Sequence, residues 1–186
     1  MSNPPTRAVA PSGVAHIVLN VRDIQVSHRF WTEVMGFQQA GALDNSPGLT
    51  MRFYRGGTPG HHHDLALAQV REPAPAPDRP WSMAPRQPGL NHMAIAYPDR
   101  DAWLRQIAHL QACGIAFHVR GEHGMSHSVY ISDPDGHGIE VLYDLPEAVW
   151  EGNLNAALNY FRPLPKEGPE ALIDDHDYKV FEAAKS

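Results

Sequence analysis

The sequence predicts an α+β fold made of two βαβββ modules followed by a C-terminal extension. Three observations predict it. GVAHIVLNV and GLNHMAIAY align without a gap, each with a Gly three residues before a His and an Asp seven after it. The two copies stand 76 residues apart, since 92 − 16 and 99 − 23 both give 76. Between the copies, residues 71–88 carry six prolines (REPAPAPDRPWSMAPRQP), which suits an extended linker better than a helix or a strand.

Each element has a local reason. Residues 14–21 are apolar and β-branched, the composition of a strand. Asp23 is placed to cap a helix over 24–35, where Ile24, Phe30, Trp31, Val34 and Met35 recur at helical spacing, and Gly36 ends it. Strands are expected near 37–42, 49–55 and 63–70. The second copy repeats the order: strand 90–97, helix 99–112 closed by Gly114, then strands near 115–120, 127–132 and 138–143. DPDG at 133–136 marks a tight turn into the last strand. Residues 144–186 have no counterpart in either copy. They suggest one short helix near 146–158 and then irregular chain, packed over a surface or onto a neighbouring subunit. The expected organisation is a leader over 1–12, a first module over 13–70, the linker, a second module over 89–145 and the extension over 146–186.

Composition narrows the function. The chain has 186 residues, enough for a proper core, a net charge of −6 and no basic run, so nucleic acid is an unexpected partner. No apolar stretch approaches the roughly 18–20 residues needed to cross a bilayer. The first 13 residues lack a signal pattern, and Cys113, the single cysteine, rules out an internal disulfide. Both favour a cytoplasmic protein. Cys113 itself, near a helix end, is expected to be a buried apolar residue.

The 12 histidines are the unusual feature. His16 and His92 hold equivalent places in the two copies, which suggests one site shared by both. Glu140 sits between Ile139 and Val141 in an otherwise apolar strand, where a carboxylate must face water, a cation or a metal. Two imidazoles and a carboxylate form the set that suits non-haem Fe(II) with open coordination positions, and Mn(II) fits the same set. His61 has the setting of a solvated loop. In the HHHD segment strand alternation turns Asp64 towards the site, with His62 on the same side and His63 on the other. His28, His109 and His118 have structural settings.

DIQVSHRFWTEVMGF after the first strand, the repeated unit, and YISDPDGHGIEVLYD resemble the vicinal oxygen chelate superfamily. HHHDLALAQV, NHMAIAY and GEHGMSHSVYISDPDGHGIEV are similar to the type I extradiol ring-cleaving dioxygenases, over about residues 13–145. That resemblance implies a half-open barrel around a metal site, with His16, His92 and Glu140 holding Fe(II). It implies His63 as the acid–base histidine, in preference to Asp64, and Tyr130 as a hydrogen-bonding partner of the substrate. It also implies a further active-site histidine, which is His123 or His127, because the interval from His123 to Tyr130 is about two residues short of the larger family members. The implied reaction is O2-dependent cleavage of a small aromatic diol beside its hydroxyls. The extension and the Pro-rich linker offer surface beyond the two modules, so a homo-oligomer, a dimer or larger, is expected.

Two other readings belong to the same sequence. Subtracting 76 from 140 lands on Asp64, so a glyoxalase-like lyase could draw a fourth ligand there, and a thiol transferase shares the two-His, one-Glu set. A drug-binding module of the bleomycin-resistance type would need no metal.

Overall fold

The computed structural model describes residues 8–43, 46–57, 59–72, 74–77, 80–84, 88–175 and 177–183. The chain divides into two compact units, residues 1–32 with 36–73, and 33–35 with 74–186. The boundary between residues 73 and 74 falls inside the Pro-rich segment.

In the first unit β1 (Ile17–Val21) leads into α1 (Ile24–Arg29), then β2 (Gln38–Leu43), β3 (Met51–Arg55) and β4 (Leu65–Gln69) follow. The four strands form one sheet in the order β1-β4-β3-β2, with β1 and β4 parallel and the other neighbours antiparallel. Asp23 caps α1: its carboxylate accepts the backbone N–H of Gln25 at 2.8 Å and of Val26 at 3.1 Å. The helix expected to run to residue 35 is α-helical only to Arg29 and continues as a π-helical turn over Phe30–Val34. The Thr32 hydroxyl donates to the His28 carbonyl at 2.7 Å, which competes with the regular ladder where the helix changes type. Leu19, Val21, Ile24, Trp31, Tyr54, Leu65 and Leu67 make the core of this unit.

The second unit repeats the order with β5 (His92–Ala96), α2 (Arg100–Ala112), β6 (Val119–Glu122), β7 (Ser126–Ser132) and β8 (Gly138–Asp144). Its sheet runs β5-β8-β7-β6, again with the first pair parallel. Neither sheet closes on itself. Asp99 caps α2 through the Ala102 N–H at 2.7 Å, and Trp103 donates its indole N–H to the Val141 carbonyl at 2.9 Å, which pins helix to sheet. The strand expected at 115–120 starts later because Gly114, at φ 73°, and Ile115 are still closing the helix onto Gln111 and Leu110. Cys113 is exposed, not buried, because the C-terminal end of α2 carries it outward. The DPDG turn is built as expected: the Asp133 carboxylate accepts the N–H groups of Asp135 and His137 at 2.9 and 2.8 Å. Among the described residues no helix is long and apolar enough to cross a membrane.

The extension departs most from expectation. Two 3-10 turns occupy Glu147–Val149 and Glu151–Asn153, and α3 covers only Leu154–Leu158. A two-residue strand, β9 (Arg162–Pro163), then pairs antiparallel with β6 and becomes the fifth strand of the sheet. Farther on, Asp174 is 3% exposed and ties the extension to the sheet. Its carboxylate accepts from His127 Nδ1 at 2.7 Å and from the Tyr143 hydroxyl at 2.6 Å, with Arg120 at 3.5 Å and Arg100 at 3.4 Å. Burial would raise this carboxyl, but the bonds from His127 and Tyr143 and the charges of His127 and Arg120 outweigh it and hold it below its usual value. A depressed folded value means that the stabilisation is full at neutral pH and is lost as pH falls through that value. Asp174→Ala leaves the buried Arg120 guanidinium, and the partly exposed Arg100 beside it, short of an anion. It is expected to cost about 3–5 kcal/mol in urea unfolding, whereas Asp175→Ala, on the exposed neighbour, should cost little.

Candidate active site

Strand geometry assembles a polar cluster on one face of the second sheet. In the β7–β8 register Tyr130 lies opposite Glu140 and Ser128 opposite Leu142, while β5 sets Ala94 opposite Glu140. Ser128, Tyr130 and Glu140 therefore share a face by the period of two. His92, the first residue of β5, reaches the same cluster, with Nε2 at 3.2 Å from Glu140 Oε2. The other Glu140 oxygen accepts the Ser128 hydroxyl at 2.6 Å.

The tautomer of His92 follows from its neighbours. Asn91 Nδ2 donates to the Met83 carbonyl at 3.2 Å, so Asn91 Oδ1 is the atom that meets His92 Nδ1 at 2.7 Å. His92 must donate from Nδ1, so in the neutral imidazole the lone pair is on Nε2 and points at a carboxylate oxygen. Two acceptors at 3.2 Å repel unless a proton or a cation lies between them. First-row divalent metals bind nitrogen and oxygen at about 2.1 Å, so two ligands at right angles bring their donor atoms to about 3 Å. The His92–Glu140 pair thus fits two adjacent ligands of a metal, and Asn91 and Ser128 are the groups that would orient them.

Tyr130 and His123 stand beside this pair. The Tyr130 hydroxyl and His123 Nε2 share a hydrogen bond at 2.9 Å, and the ring of Tyr130 meets that of His92 edge-on at 5.3 Å. Burial, reinforced by the Glu140 charge, pushes the Tyr130 hydroxyl well above its ordinary value, so it stays protonated and able to donate. Burial also lowers His123, against a smaller opposing pull from Glu140, which favours the neutral imidazole. Phe161 of the extension packs on His123 with ring centroids 5.0 Å apart.

The structure separates the two histidines that the sequence left as alternatives. His127 is the correction: it lies on the opposite face of β7, 1% exposed, and is bound to Asp174 and Tyr143 in the network that fastens the extension. One residue of displacement along a strand reverses the side a residue faces, and His127 is three from Tyr130.

In the first unit His16 precedes β1, and its ring lies against that of His63, with centroids 4.5 Å apart. His63 also contacts Phe53 at 5.2 Å and bonds to His62. Loss of hydration, helped by the nearby His62 and His16, lowers His63 below the ordinary histidine value. Asp64 is otherwise engaged: its carboxylate accepts the Gly56 N–H and the His61 ring N–H, both at 2.7 Å. β4 is regular from Leu65, and Asp64 already joins its ladder, donating its N–H to the Tyr54 carbonyl at 2.8 Å and accepting the Ile17 N–H at 3.0 Å, whereas His63 stands just before it.

The registers also correct the fourth-ligand reading. Val18 pairs with Ala66 in the first unit as Ala94 pairs with Glu140 in the second. The first strands differ by 94 − 18 = 76 residues and the last strands by 140 − 66 = 74, so the counterpart of Glu140 is Ala66 and not Asp64. An alanine supplies no ligand there. Among the described residues no group of three or more His, Cys, Asp or Glu stands in a metal-holding arrangement.

Sequence reasoning missed Asn91 and Ser128. Ser128 was available from Tyr130 by alternation. Asn91 was not, because the first copy has Ala15 at that place.

Three comparisons bear on this geometry. The family model of the Glyoxalase/Bleomycin resistance protein/Dioxygenase superfamily matches residues 13–141. A catechol-2,3-dioxygenase of Bacillus subtilis is 32% identical over 162 residues, 87% of this chain and 51% of that protein. A 3-methylcatechol 2,3-dioxygenase of Pseudomonas putida is 28% identical over 69% of this chain and 40% of its own length. A biphenyl-2,3-diol 1,2-dioxygenase of Rhodococcus globerulus is 27% identical over 70% and 63%. The chain thus spans about half the length of these relatives. Among solved structures, a glyoxylase/bleomycin resistance protein/dioxygenase domain from Frankia sp. EAN1pec superposes with a TM-score of 0.58 at 20% identity, covering 73% of this chain and 94% of its own. A glyoxalase/dioxygenase from Nostoc punctiforme superposes at 0.53 and 24% identity, covering 77% of this chain and 100% of its own. At these identities the structural likeness speaks to fold alone.

Proposed function

The chain belongs to the glyoxalase/bleomycin resistance/dioxygenase superfamily, and on that premise we propose that it is an extradiol dioxygenase that cleaves a catecholic aromatic with O2 and iron. The observation that carries the reading is the His92–Glu140 pair, with Nε2 3.2 Å from a carboxylate oxygen, set beside the hydrogen-bonded Tyr130 and His123. The three named relatives, all dioxygenases of aromatic diols, support it.

His16, His92 and Glu140 are the proposed ligands. When bound, Fe(II), or Mn(II) in its place, supplies open positions for the two adjacent oxygens of a diol and for O2. The remaining work falls to side chains. Asn91 and Ser128 fix the lone pairs of His92 and Glu140. His63, kept neutral by its surroundings, takes a proton from the incoming diol and returns it to the product. Tyr130 donates a hydrogen bond to a substrate oxygen, and His123 holds the tyrosine hydroxyl in place. In the net reaction one O2 is consumed per diol, the ring bond beside the two hydroxyls breaks, and both oxygen atoms stay in the product.

A lyase built on a fourth carboxylate ligand is disfavoured by Ala66. A metal-free binding module is disfavoured by the orientation of His92 towards Glu140. In the proposed setting the enzyme is a cytoplasmic homo-oligomer, which sizing of the purified protein would test. The functional test is O2 uptake by anaerobically Fe(II)-reconstituted protein given a panel of small catechols. Uptake on at least one catechol is expected. Metal binding without uptake on any of them would favour a lyase or a transferase, and failure to bind metal would leave the binding module.

A further inference from the structure

The Pro-rich linker ends against the site. The Trp81 indole lies parallel to the Tyr130 ring, with centroids 5.4 Å apart and planes 3° from parallel. It meets His92 edge-on at 5.9 Å. Its N–H donates to the Asn91 carbonyl at 2.6 Å, and the Asn91 side chain donates to the Met83 carbonyl at 3.2 Å. Residues 81 and 83 are therefore both fastened to the residue that orients His92.

Two glycines leave room for this. A Cβ on Gly138 would stand 2.2 Å from the Trp81 indole nitrogen, and one on Gly136 would stand 2.7 Å from the Pro77 ring. A side chain at Gly136 or Gly138 would therefore meet Pro77 or Trp81 and force one of them to shift. Neither the ligand role of His92 nor the hydrogen bond of Tyr130 requires an indole at this place.

An aromatic diol whose oxygens approach His92 and Glu140 and meet the Tyr130 hydroxyl must lay its ring beside those side chains. It then lies against the indole as well, which offers a broad face and edge for stacking. We propose that Trp81 is a specificity-determining wall of the diol pocket, against which ring substituents pack and whose bulk limits their size. This inference rests on the dioxygenase reading.

The test compares wild type, W81F and W81A, each reconstituted with Fe(II), on unsubstituted, methyl- and phenyl-substituted catechols. In W81A the kcat/KM ratio of phenyl- to unsubstituted catechol is expected to rise roughly 10-fold or more, with W81F between. A ratio that stays constant across the three proteins would overturn the proposal. Binding supplies a second readout: anaerobic addition of a catechol should quench tryptophan fluorescence in wild type, and W81F should lose most of that change. Equal quenching in wild type and W81F would equally overturn it. O2 uptake by none of the three on any catechol would sink the dioxygenase reading itself, while the fluorescence comparison would still report whether Trp81 meets the ring.

Discussion

Glu140→Ala and His92→Ala are each expected to abolish iron retention and O2 uptake while the protein stays folded. The two side chains come from neighbouring parallel strands whose register is set by buried Met93, Ile139 and Val141, not by the site residues themselves. Removing the carboxylate leaves the Ser128 hydroxyl without its acceptor, and removing the imidazole leaves Asn91 Oδ1 without its donor. An unpaired buried Ser128 hydroxyl costs about 1–3 kcal/mol and the apolar core is left intact, so unfolding by denaturant should change far less than activity. The drop in activity should exceed the roughly 10–100-fold expected for Ser128→Ala or Asn91→Ala, which disturb only the orientation of a ligand. Iron content after anaerobic reconstitution and gel filtration separates the two classes: alanine at 92 or 140 should empty the protein, and alanine at 91 or 128 should lower its affinity.

His63→Gln is expected to lower kcat by about 100- to 10,000-fold, the range for loss of a general acid–base group, with iron content and KM little changed. The glutamine keeps the volume and a polar atom beside His16 but cannot shuttle a proton. His62→Gln and Asp64→Asn serve as comparisons from the same segment. Asp64 bonds to the Gly56 N–H and to His61, so its amide variant should disturb the turn and not the proton transfer. A large loss in kcat at Asp64 with none at His63 would reassign the role.

The fold was legible in the sequence because it is written twice. The matched Gly, His and Asp positions gave the repeat, and each copy then supported the elements assigned to the other. Glu140 was visible because a carboxylate between Ile139 and Val141 has no apolar explanation. Periodicity fails where a segment is too short or not yet a strand. His63 stands just before the β4 ladder, and β9 has two residues. The repeat offset misled at Asp64 because the last strand of the second copy comes two residues sooner than the first copy predicts, and only the pairing of Val18 with Ala66 reveals it. The role of the extension was hidden for another reason. Asp174 lies far along the chain from His127, Tyr143 and Arg120, and no local pattern marks a carboxylate that will be buried among them.

The most direct measurement is the stoichiometry of the reaction: O2 consumed per catechol converted, with simultaneous recording of the yellow ring-opened product and of hydrogen peroxide. One O2 per catechol, one yellow product per O2 and no peroxide are the expected result, all lost in Glu140→Ala. O2 uptake that yields peroxide and a quinone would mean that the bound metal merely oxidises the diol, and would contradict ring cleavage as the function of this site.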